Sequence, residues 1–372
     1  MSIVKFSDVA HRAFTKEDRF NTDKIYYVGG EHIETGELFV HNKGTIKGST
    51  IGPMFYCGFK AGQILFVTRN PHLRKCGIVE FDGICSEKTF VIETKDRNVL
   101  LQEYLAMIMQ SDEFWDYCEE NKSGGVNFFL NWSTLADYEF DLPPISEQKK
   151  LTGKLFAAYR MKESYKKLLT ATQEMVKSQF IEMFGDQNTN ERCWEDSFIK
   201  ELFSLSMGKT PARNRPDYWQ QSSNKWISIS DIAKYNRYTG DTDETISDIA
   251  VKETGIKKVP KGTIIMSFKL SIGRTAITSE DIYTNEAIMA FQDVDTNKFD
   301  ISFLYYLIAN KNWLYNAKQA VKGQTLNKES IGNSKIIVPP IALQKQFANI
   351  LNQADKSESV WPIWHNKVVA TC

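Results

Sequence analysis

The chain contains 372 residues, of which 42% are hydrophobic and 25% are charged, and its formal net charge is zero. These values are ordinary for a soluble globular protein with room for two domains. A zero net charge argues against binding of nucleic acid through a strong overall positive field, so any such contact must use local basic patches. The apolar runs are too short to span a bilayer, and charged residues follow Met1 closely, so we expect a cytoplasmic protein.

The first part of the chain alternates short strand-like runs with turn residues. Runs rich in Val, Ile, Phe and Tyr occupy residues 25–28, 63–68 and 89–93, as expected of twisted β-structure. An amphipathic helix follows, with Leu101 and Leu105 on its apolar stripe. This mixture predicts an α+β domain over residues 1–145.

Residues 146–186 predict one long helix. Apolar side chains recur alternately four and three residues apart, which is coiled-coil spacing, and the predicted helix begins at Ser146 and stops at Gly185. A helix of this length cannot bury such a seam alone, so we expect a partner to cover it. The seam residues predicted to dock a partner on this helix are Leu151, Leu155, Tyr165, Leu169, Val176 and Met183.

The rest of the chain repeats this order of elements. Strand-like runs at residues 225–229, 263–268 and 287–292 precede a second amphipathic helix. Pro-Pro-Ile with a following Gln-Lys pair occurs at residues 143–149 and returns 196 residues later, at 339–345. A period of this length indicates a copied domain rather than a solenoid unit. The predicted segments are 1–145, 146–186, 187–340, 341–357 and an atypical tail at 358–372.

Three phrases of the sequence resemble the specificity subunits of type I restriction-modification systems. They are residues 142–149 (LPPISEQK), residues 208–211 (GKTP) with Tyr218-Trp219, and residues 226–232 (WISISDI). The resemblance implies two repeated target-recognition domains, joined by a long coiled-coil-forming helix and each reading one half of a split double-stranded DNA target. It also implies two methyltransferase subunits and ATP-dependent restriction subunits as partners. S-adenosylmethionine, ATP and magnesium are expected on those partners, and no cofactor is expected in this chain.

Loop composition adds candidate DNA contacts. Arginine, asparagine and aromatic residues in loops can contact phosphates and base edges, and in the family that the chain resembles the loop before the final strand faces DNA. An ordinary solvated loop remains the alternative. The candidates are Arg69, Arg74, Asn127 and Asn131 in the first domain, and Lys209, Arg213, Arg215, Tyr218, Lys269, Arg274, Gln324, Asn327 and Lys328 in the second.

The second long helix is predicted to be short. Its pattern begins at Phe347 and Leu351, both predicted docking residues, but Pro362 cannot lie inside a helix. We therefore expect part of the first helix to lack cover from the chain itself and to need a methyltransferase subunit, a second copy or a separate fragment. A truncated interaction module that only occupies methyltransferase partners is the alternative function. The seam residues expected to lack cover are Leu169, Val176 and Met183.

Catalytic motifs are not found in the sequence. It has no phosphate-binding loop and no dinucleotide-binding turn. The two Pro-Pro pairs lack the polar and aromatic neighbours of an adenine methyltransferase motif. Cysteines and histidines, including His32, His41 and His72, show no metal-ligand or nucleophile spacing. We expect a non-catalytic chain without a metal site, and a self-contained nuclease or methyltransferase is the less favoured alternative.

Overall fold

A computed structural model describes residues 2–220, 222–313 and 326–359. The chain divides into two compact units, one ending at Glu163 and the other beginning at Ser164. Each unit combines β-sheets with short flanking helices, which confirms the predicted α+β class. Within the described ranges, no helix is long and apolar enough to cross a membrane.

The first unit contains three sheets. A two-stranded sheet pairs β1 with β12, and two five-stranded sheets have the orders β2-β11-β8-β9-β5 and β3-β7-β10-β4-β6. The strands are β1 (Ser2–Lys5), β2 (Ala10–Arg12), β3 (Thr15–Lys16), β4 (Tyr26–Val28), β5 (Phe39–Val40), β6 (Gly44–Thr45), β7 (Phe55–Phe59), β8 (Ile64–Val67), β9 (Cys76–Val79), β10 (Gly83–Ser86), β11 (Thr89–Thr94) and β12 (Glu139–Leu142).

Helices of the first unit cover one sheet and build its core. Their bounds are α1 (Phe6–Val9), α2 (Gln102–Ile108), α3 (Asp112–Glu120) and α4 (Trp132–Ala136). Phe66 of β8 stacks on Trp115 of α3 with ring centroids 5.5 Å apart, and both side chains are buried. β8 is buried along its whole length and is the central strand of its sheet.

The long helix α5 (Ile145–Phe184) comprises 40 residues, which corresponds to roughly 60 Å at 1.5 Å per residue. Its first part packs on the first unit, where Phe39 contacts Phe156 and Tyr159 at centroid distances of 5.5 and 5.2 Å. Lys162 adds a salt bridge to Glu37, with Nζ and Oε1 2.9 Å apart. The seam residue Leu155 is half-buried in this contact, whereas Leu151 is 37% exposed.

The second unit repeats the plan with fewer strands. Its sheets are β13-β21, β14-β20-β17-β18 and β16-β15-β19. The strands are β13 (Asp196–Phe198), β14 (Ser204–Met207), β15 (Lys225–Ile227), β16 (Glu244–Thr245), β17 (Ile264–Ser267), β18 (Thr275–Ile277), β19 (Tyr283–Thr284), β20 (Ile288–Gln292) and β21 (Lys335–Ile337). The helices are α6 (Ile199–Leu202), α7 (Ile229–Lys234), α8 (Asp248–Thr254), α9 (Ile301–Ala309), α10 (Lys328–Gly332) and α11 (Ile341–Ser359).

The repeated Gln-Lys phrase has the same structural role in both units. Gln148 and Gln344 are fully buried at the starts of α5 and α11. The side-chain oxygen of Gln148 accepts from the backbone N–H of Leu101 at 3.0 Å, and its amide donates to the carbonyls of Val99 and Pro143, both at 2.9 Å. The phrase therefore joins each long helix to the domain that precedes it.

Part of the α5 seam is covered within the second unit. Val176 is buried and Met183 half-buried against the core to which Phe347 and Leu351 of α11 also belong. The prediction that Val176 and Met183 lack cover from the chain itself is therefore wrong. The physical reason is that even a short α11 begins beside the end of α5, with Phe347 5.3 Å from Phe180 between ring centroids. Tyr165 and Leu169 are half-buried.

Candidate nucleic-acid interface

The loop between β14 and β15 is positioned by two buried contacts. A Cβ on Gly208 would lie 1.7 Å from the carbonyl oxygen of Thr284, so only glycine allows this close approach. The indole N–H of buried Trp226 donates to the carbonyl of Lys209 at 3.0 Å. These contacts explain why the GKTP phrase and Trp226 occur together in the sequence. Lys209 is exposed, and its Nζ donates to the carbonyl of Thr254 at 2.8 Å.

The two arginines of this loop are exposed but engaged in ion pairs. Arg213 makes two hydrogen bonds to Glu244 and lies 3.7 Å above the ring centroid of Trp219. Arg215 donates twice to Asp217, at 2.9 and 2.7 Å. This hydrogen bonding raises the pKa of Arg215 and lowers the pKa of Asp217. Contact with DNA would require both arginines to exchange carboxylates for phosphate or base oxygens.

Tyr218 differs from its neighbours because its ring is only 7% exposed. Its hydroxyl donates to Glu253 at 2.6 Å, and this hydrogen bond raises the pKa of Tyr218. The ring packs with Trp226 and Ile246 in a small core under the loop. The geometry assigns Tyr218 to holding the loop in place.

The turn between β17 and β18 exposes two cations. Leu270 has a positive φ of 61° and is 91% exposed, so the turn projects away from the sheet. Lys269 and Arg274 are exposed at either side of it. Neither forms a salt bridge within the part of the chain that the structure describes. Arg274 also lines a cavity of about 550 Å³ that Arg237 and Lys177 share.

The equivalent turn of the first unit, between β8 and β9, has a different chemistry. Arg74 forms salt bridges with Asp112 and Asp116 of α3. The guanidinium of Arg69 lies 5.3 Å from the ring centroid of Phe129, and the two residues also form a β-bridge. The two turns occupy the same place in the repeat, but only the second unit leaves both cations without a carboxylate partner in its described residues.

The loops before the last strands are the ones that the sequence predicts to face DNA. In the first unit, Asn127 and Asn131 are exposed, and Asn131 begins α4 without a side-chain capping bond. In the second unit, Asn327 caps α10 by accepting from the N–H of Ser330 at 2.8 Å. Lys328 is exposed and lines an open groove of about 750 Å³ with Lys200. Gln324 lies outside the described residues.

Sequence reasoning missed two sets of residues. The partners of Gln148 and Gln344 are backbone atoms, so no side-chain pattern announces them. The second set is the loop between β2 and β4 of the first unit, residues 13–25, which is the counterpart of the loop between β14 and β15. Alignment of the two repeats is the signal that finds this loop, because it places residues 13–25 opposite the loop that contains Arg213 and Arg215.

Comparison with known proteins finds a family match in the second part of the chain. Residues 191–359 match the family described as type I restriction modification DNA specificity domain. The chain is 28% identical over 167 residues to the type I restriction enzyme MjaIX specificity subunit of Methanocaldococcus jannaschii, covering 44% of this chain and 38% of that subunit. It is 25% identical to the EcoprrI specificity subunit of Escherichia coli, covering 42% of this chain and 41% of that one. The matched segment thus spans less than half the length of either relative.

Solved structures show the same fold over nearly the whole chain. The type I restriction-modification S subunit from M. genitalium aligns with a TM-score of 0.63 and 13% identity, covering 99% of this chain and 92% of that one. A chain from a study of complex assembly and conformational transition of the type I restriction-modification system aligns with a TM-score of 0.53 and 16% identity, covering 99% of this chain and 94% of that one.

Residues 191–359 therefore match a DNA specificity domain, and the first unit has a related arrangement of sheets and helices. The chain as a whole is similar to the specificity (S) subunits of type I restriction-modification systems. This agrees with the resemblance carried by the LPPISEQK, GKTP and WISISDI phrases.

Proposed function

We propose that this chain is the DNA sequence-specificity subunit of a type I restriction-modification complex. It is non-catalytic, reads the two halves of a bipartite target and docks methyltransferase and restriction subunits in the cytoplasm. S-adenosylmethionine, ATP and magnesium bind those partners rather than this chain. The observation that carries the proposal is the duplicated specificity-type fold, in which Gln148 and Gln344 join a long helix to each domain by the same hydrogen bonds.

Two domains of one architecture suit two related but different half-sites. The loops at equivalent places carry different side chains, so each domain presents its own set of donors and acceptors. The proposed contacts are Arg69, Asn127 and Asn131 in the first unit and Lys209, Lys269, Arg274, Gln324, Asn327 and Lys328 in the second. Arg74, Arg213 and Arg215 join this set only by exchanging their present carboxylate partners. Tyr218 is not one of the proposed DNA contacts, because it is buried and supports the loop.

Exposed apolar side chains on α5 support the proposed docking of methyltransferase subunits. Met161, Leu168 and Met175 repeat every seven residues and are 56%, 57% and 48% exposed. Residues seven apart lie along one line of a helix that packs against another helix. Leu151, at 37% exposure, is the predicted docking residue that is most available. We also propose residues 1–145 and 187–340 as the two target-recognition domains and residues 146–186 as the spacer.

The test is co-expression of the chain with its cognate methyltransferase subunit, followed by genome-wide detection of methylated adenine. We expect a split motif with a fixed gap between its halves. The control is the methyltransferase subunit expressed without this chain, which should leave no motif. A stable complex that methylates nothing would instead support the interaction-module function, which is favoured by Pro362 in the sequence because a proline cannot lie inside a helix.

A further inference from the structure

A groove in the first unit lies between the loop that follows β3 and the segment that follows β6. It has a volume of about 570 Å³. Residue 25 at one side and residue 46 at the other are joined by a backbone hydrogen bond of 2.9 Å, so both walls belong to one folded element. The side chains that matter below are Arg19, Phe20, Lys24, Ile25 and Lys47.

The groove combines a cation with exposed apolar surface. The guanidinium of Arg19 lies 4.3 Å from the ring centroid of Phe20. The Nε of Arg19 is buried and has no hydrogen-bond partner among the described residues. Phe20 is 83% exposed and Ile25 is 61% exposed. Large exposed apolar side chains beside a cation are typical of a surface that another molecule covers.

The loop is held in shape by its own acidic side chains. Asp18 accepts from the backbone N–H of Phe20 at 3.0 Å, and Glu17 accepts from the hydroxyl of Thr22 at 2.9 Å. The same hydroxyl oxygen accepts from the N–H of Lys24 at 3.2 Å. The carboxylates are therefore used inside the loop, and Arg19 and Phe20 are presented by a preorganised backbone.

The charged side chains that line the groove are Arg19, Lys24 and Lys47. Lys24 is neutralised by Asp23 and Asp82, with Nζ–oxygen distances of 3.6 and 3.4 Å. Arg19 and Lys47 form no salt bridge within the described ranges of the first unit. Two uncompensated cations beside an exposed aromatic ring fit a polyanion with apolar surfaces between its charges, which is the chemistry of nucleic acid.

The same loop of the second unit is built in a related way. In each unit this loop leads from the first large sheet to a strand with a parallel neighbour, β4 beside β10 and β15 beside β19. Arg215 lies 4.3 Å from the ring centroid of Tyr218, the distance that separates Arg19 from Phe20. The difference is that Arg213 and Arg215 of the second unit are bound to carboxylates, whereas the Nε of Arg19 has no hydrogen-bond partner among the described residues.

We infer that this groove is a DNA-contacting surface of the first domain, with Arg19 and Lys47 on phosphate or base oxygens and Phe20 against the apolar edge of a base or sugar. The inference rests on the proposed function and names residues of the same recognition role. The partner is duplex DNA, because its phosphates match the two free cations and its bases and sugars match the exposed ring.

The test uses the chain co-purified with its methyltransferase subunit and a fluorescently labelled DNA duplex titrated at several salt concentrations. The variants are Arg19→Ala with Lys47→Ala, and Phe20→Ala alone. We expect the double variant to lower the slope of log affinity against log salt by about two. Phe20→Ala should weaken binding and leave the slope unchanged. Arg97→Ala, which removes an exposed arginine outside the groove, is the matched control.

The outcomes separate this inference from the proposed function. A wild-type complex that methylates a split motif while the double variant keeps the wild-type salt slope overturns the groove and leaves the specificity function intact. If the wild-type complex yields no motif, the inference is tested by the same salt titration on the full chain alone. A double variant with the wild-type salt slope would again overturn the inference that the groove contacts DNA. Variants that keep DNA affinity but lose the methyltransferase identify a protein-docking surface and also overturn it. If the double variant misfolds, Lys47→Gln alone should lower the slope by about one.

Discussion

Gln148 and Gln344 make the same three hydrogen bonds in two different domains. The oxygen of Gln344 accepts from the N–H of Asp300 at 3.0 Å, and its amide donates to the carbonyls of Lys298 and Pro339 at 2.8 Å. Asp300 is the N-cap residue of α9, as Leu101 is of α2 in the first unit. Each glutamine thus fastens the start of a long helix to the start of a domain helix and to the Pro-Pro turn.

Replacing Gln344 by leucine should destabilise the second unit by about 2–4 kcal/mol, because one N–H and two carbonyls lose their partner in a buried place. The measurement is denaturant unfolding of the purified full chain. Gln346→Leu is the matched control, since Gln346 is exposed two residues further along the same helix. Equal unfolding midpoints for the two variants would contradict this role.

Phe184→Ala should cost about 3–5 kcal/mol of stability, as expected for a large aromatic removed from a core. Phe184 is fully buried and lies 4.9 Å from Phe303 and 5.8 Å from Phe347 between ring centroids. Ile181→Ala on the same helix is the control, and its 50% exposure predicts a change below about 1 kcal/mol. Hydrogen exchange in α11 should rise only in the first variant.

Arg237→Ala should loosen the described end of α11. Arg237 is 5% exposed, and its Nη1 donates to Asn352 at 2.8 Å and to Asp355 at 2.5 Å. Removing one member of a buried pair costs about 3–5 kcal/mol, and we expect about 2–3 kcal/mol here because the side chain of Asp355 keeps 33% exposure. Arg274→Ala, an exposed arginine lining the same cavity, should leave the unfolding midpoint unchanged.

Lys328→Ala should reduce the salt slope of DNA binding by about one if Lys328 holds a phosphate. Lys335→Ala is the control, because its Nζ already pairs with Asp196 at 2.8 Å. A slope that falls equally in both variants would indicate a general charge effect and would remove Lys328 from the contact set.

Thiol reactivity should separate one exposed cysteine from four buried ones. Cys57, Cys76, Cys85 and Cys118 are buried, whereas Cys193 is exposed. Burial raises the pKa of Cys118 to about 12 and raises that of Cys76 too, so their reactive thiolates are scarce at neutral pH. In a Cys372→Ser variant, Ellman's reagent should titrate one thiol in the native chain and all five after denaturation. Rapid native titration of further thiols would contradict this burial.

Much of the fold follows from sequence patterns. The predicted strand at residues 263–268 is β17 (Ile264–Ser267), and the coiled-coil spacing identified α5 (Ile145–Phe184). Both signals are periodic and local, so they are visible without tertiary information. The candidate site was harder to predict. Whether Arg215 is free or bound to Asp217, and whether Tyr218 is exposed or buried, depends on contacts that spacing along the chain does not encode.

The α5 seam shows the same limit of prediction from local sequence patterns. Heptad spacing identified Val176 and Met183 as apolar seam positions, but it could not say which neighbour covers them. The expectation of missing cover assumed that a short α11 would leave these positions bare. In the structure the second domain itself supplies part of the cover, through Phe303 and Tyr306 of α9 packed on Phe180.

The hydrogen bonds of Gln148 and Gln344 have a consequence for the evolution of such chains. Every atom that Gln148 and Gln344 bind is a backbone atom. These hydrogen bonds therefore depend on the backbone path of the preceding domain and not on its side chains. A domain with an unrelated surface would attach equally well, provided that its chain follows the same course. Recognition loops are then free to diverge, and a domain exchanged at this point would still be held to its helix.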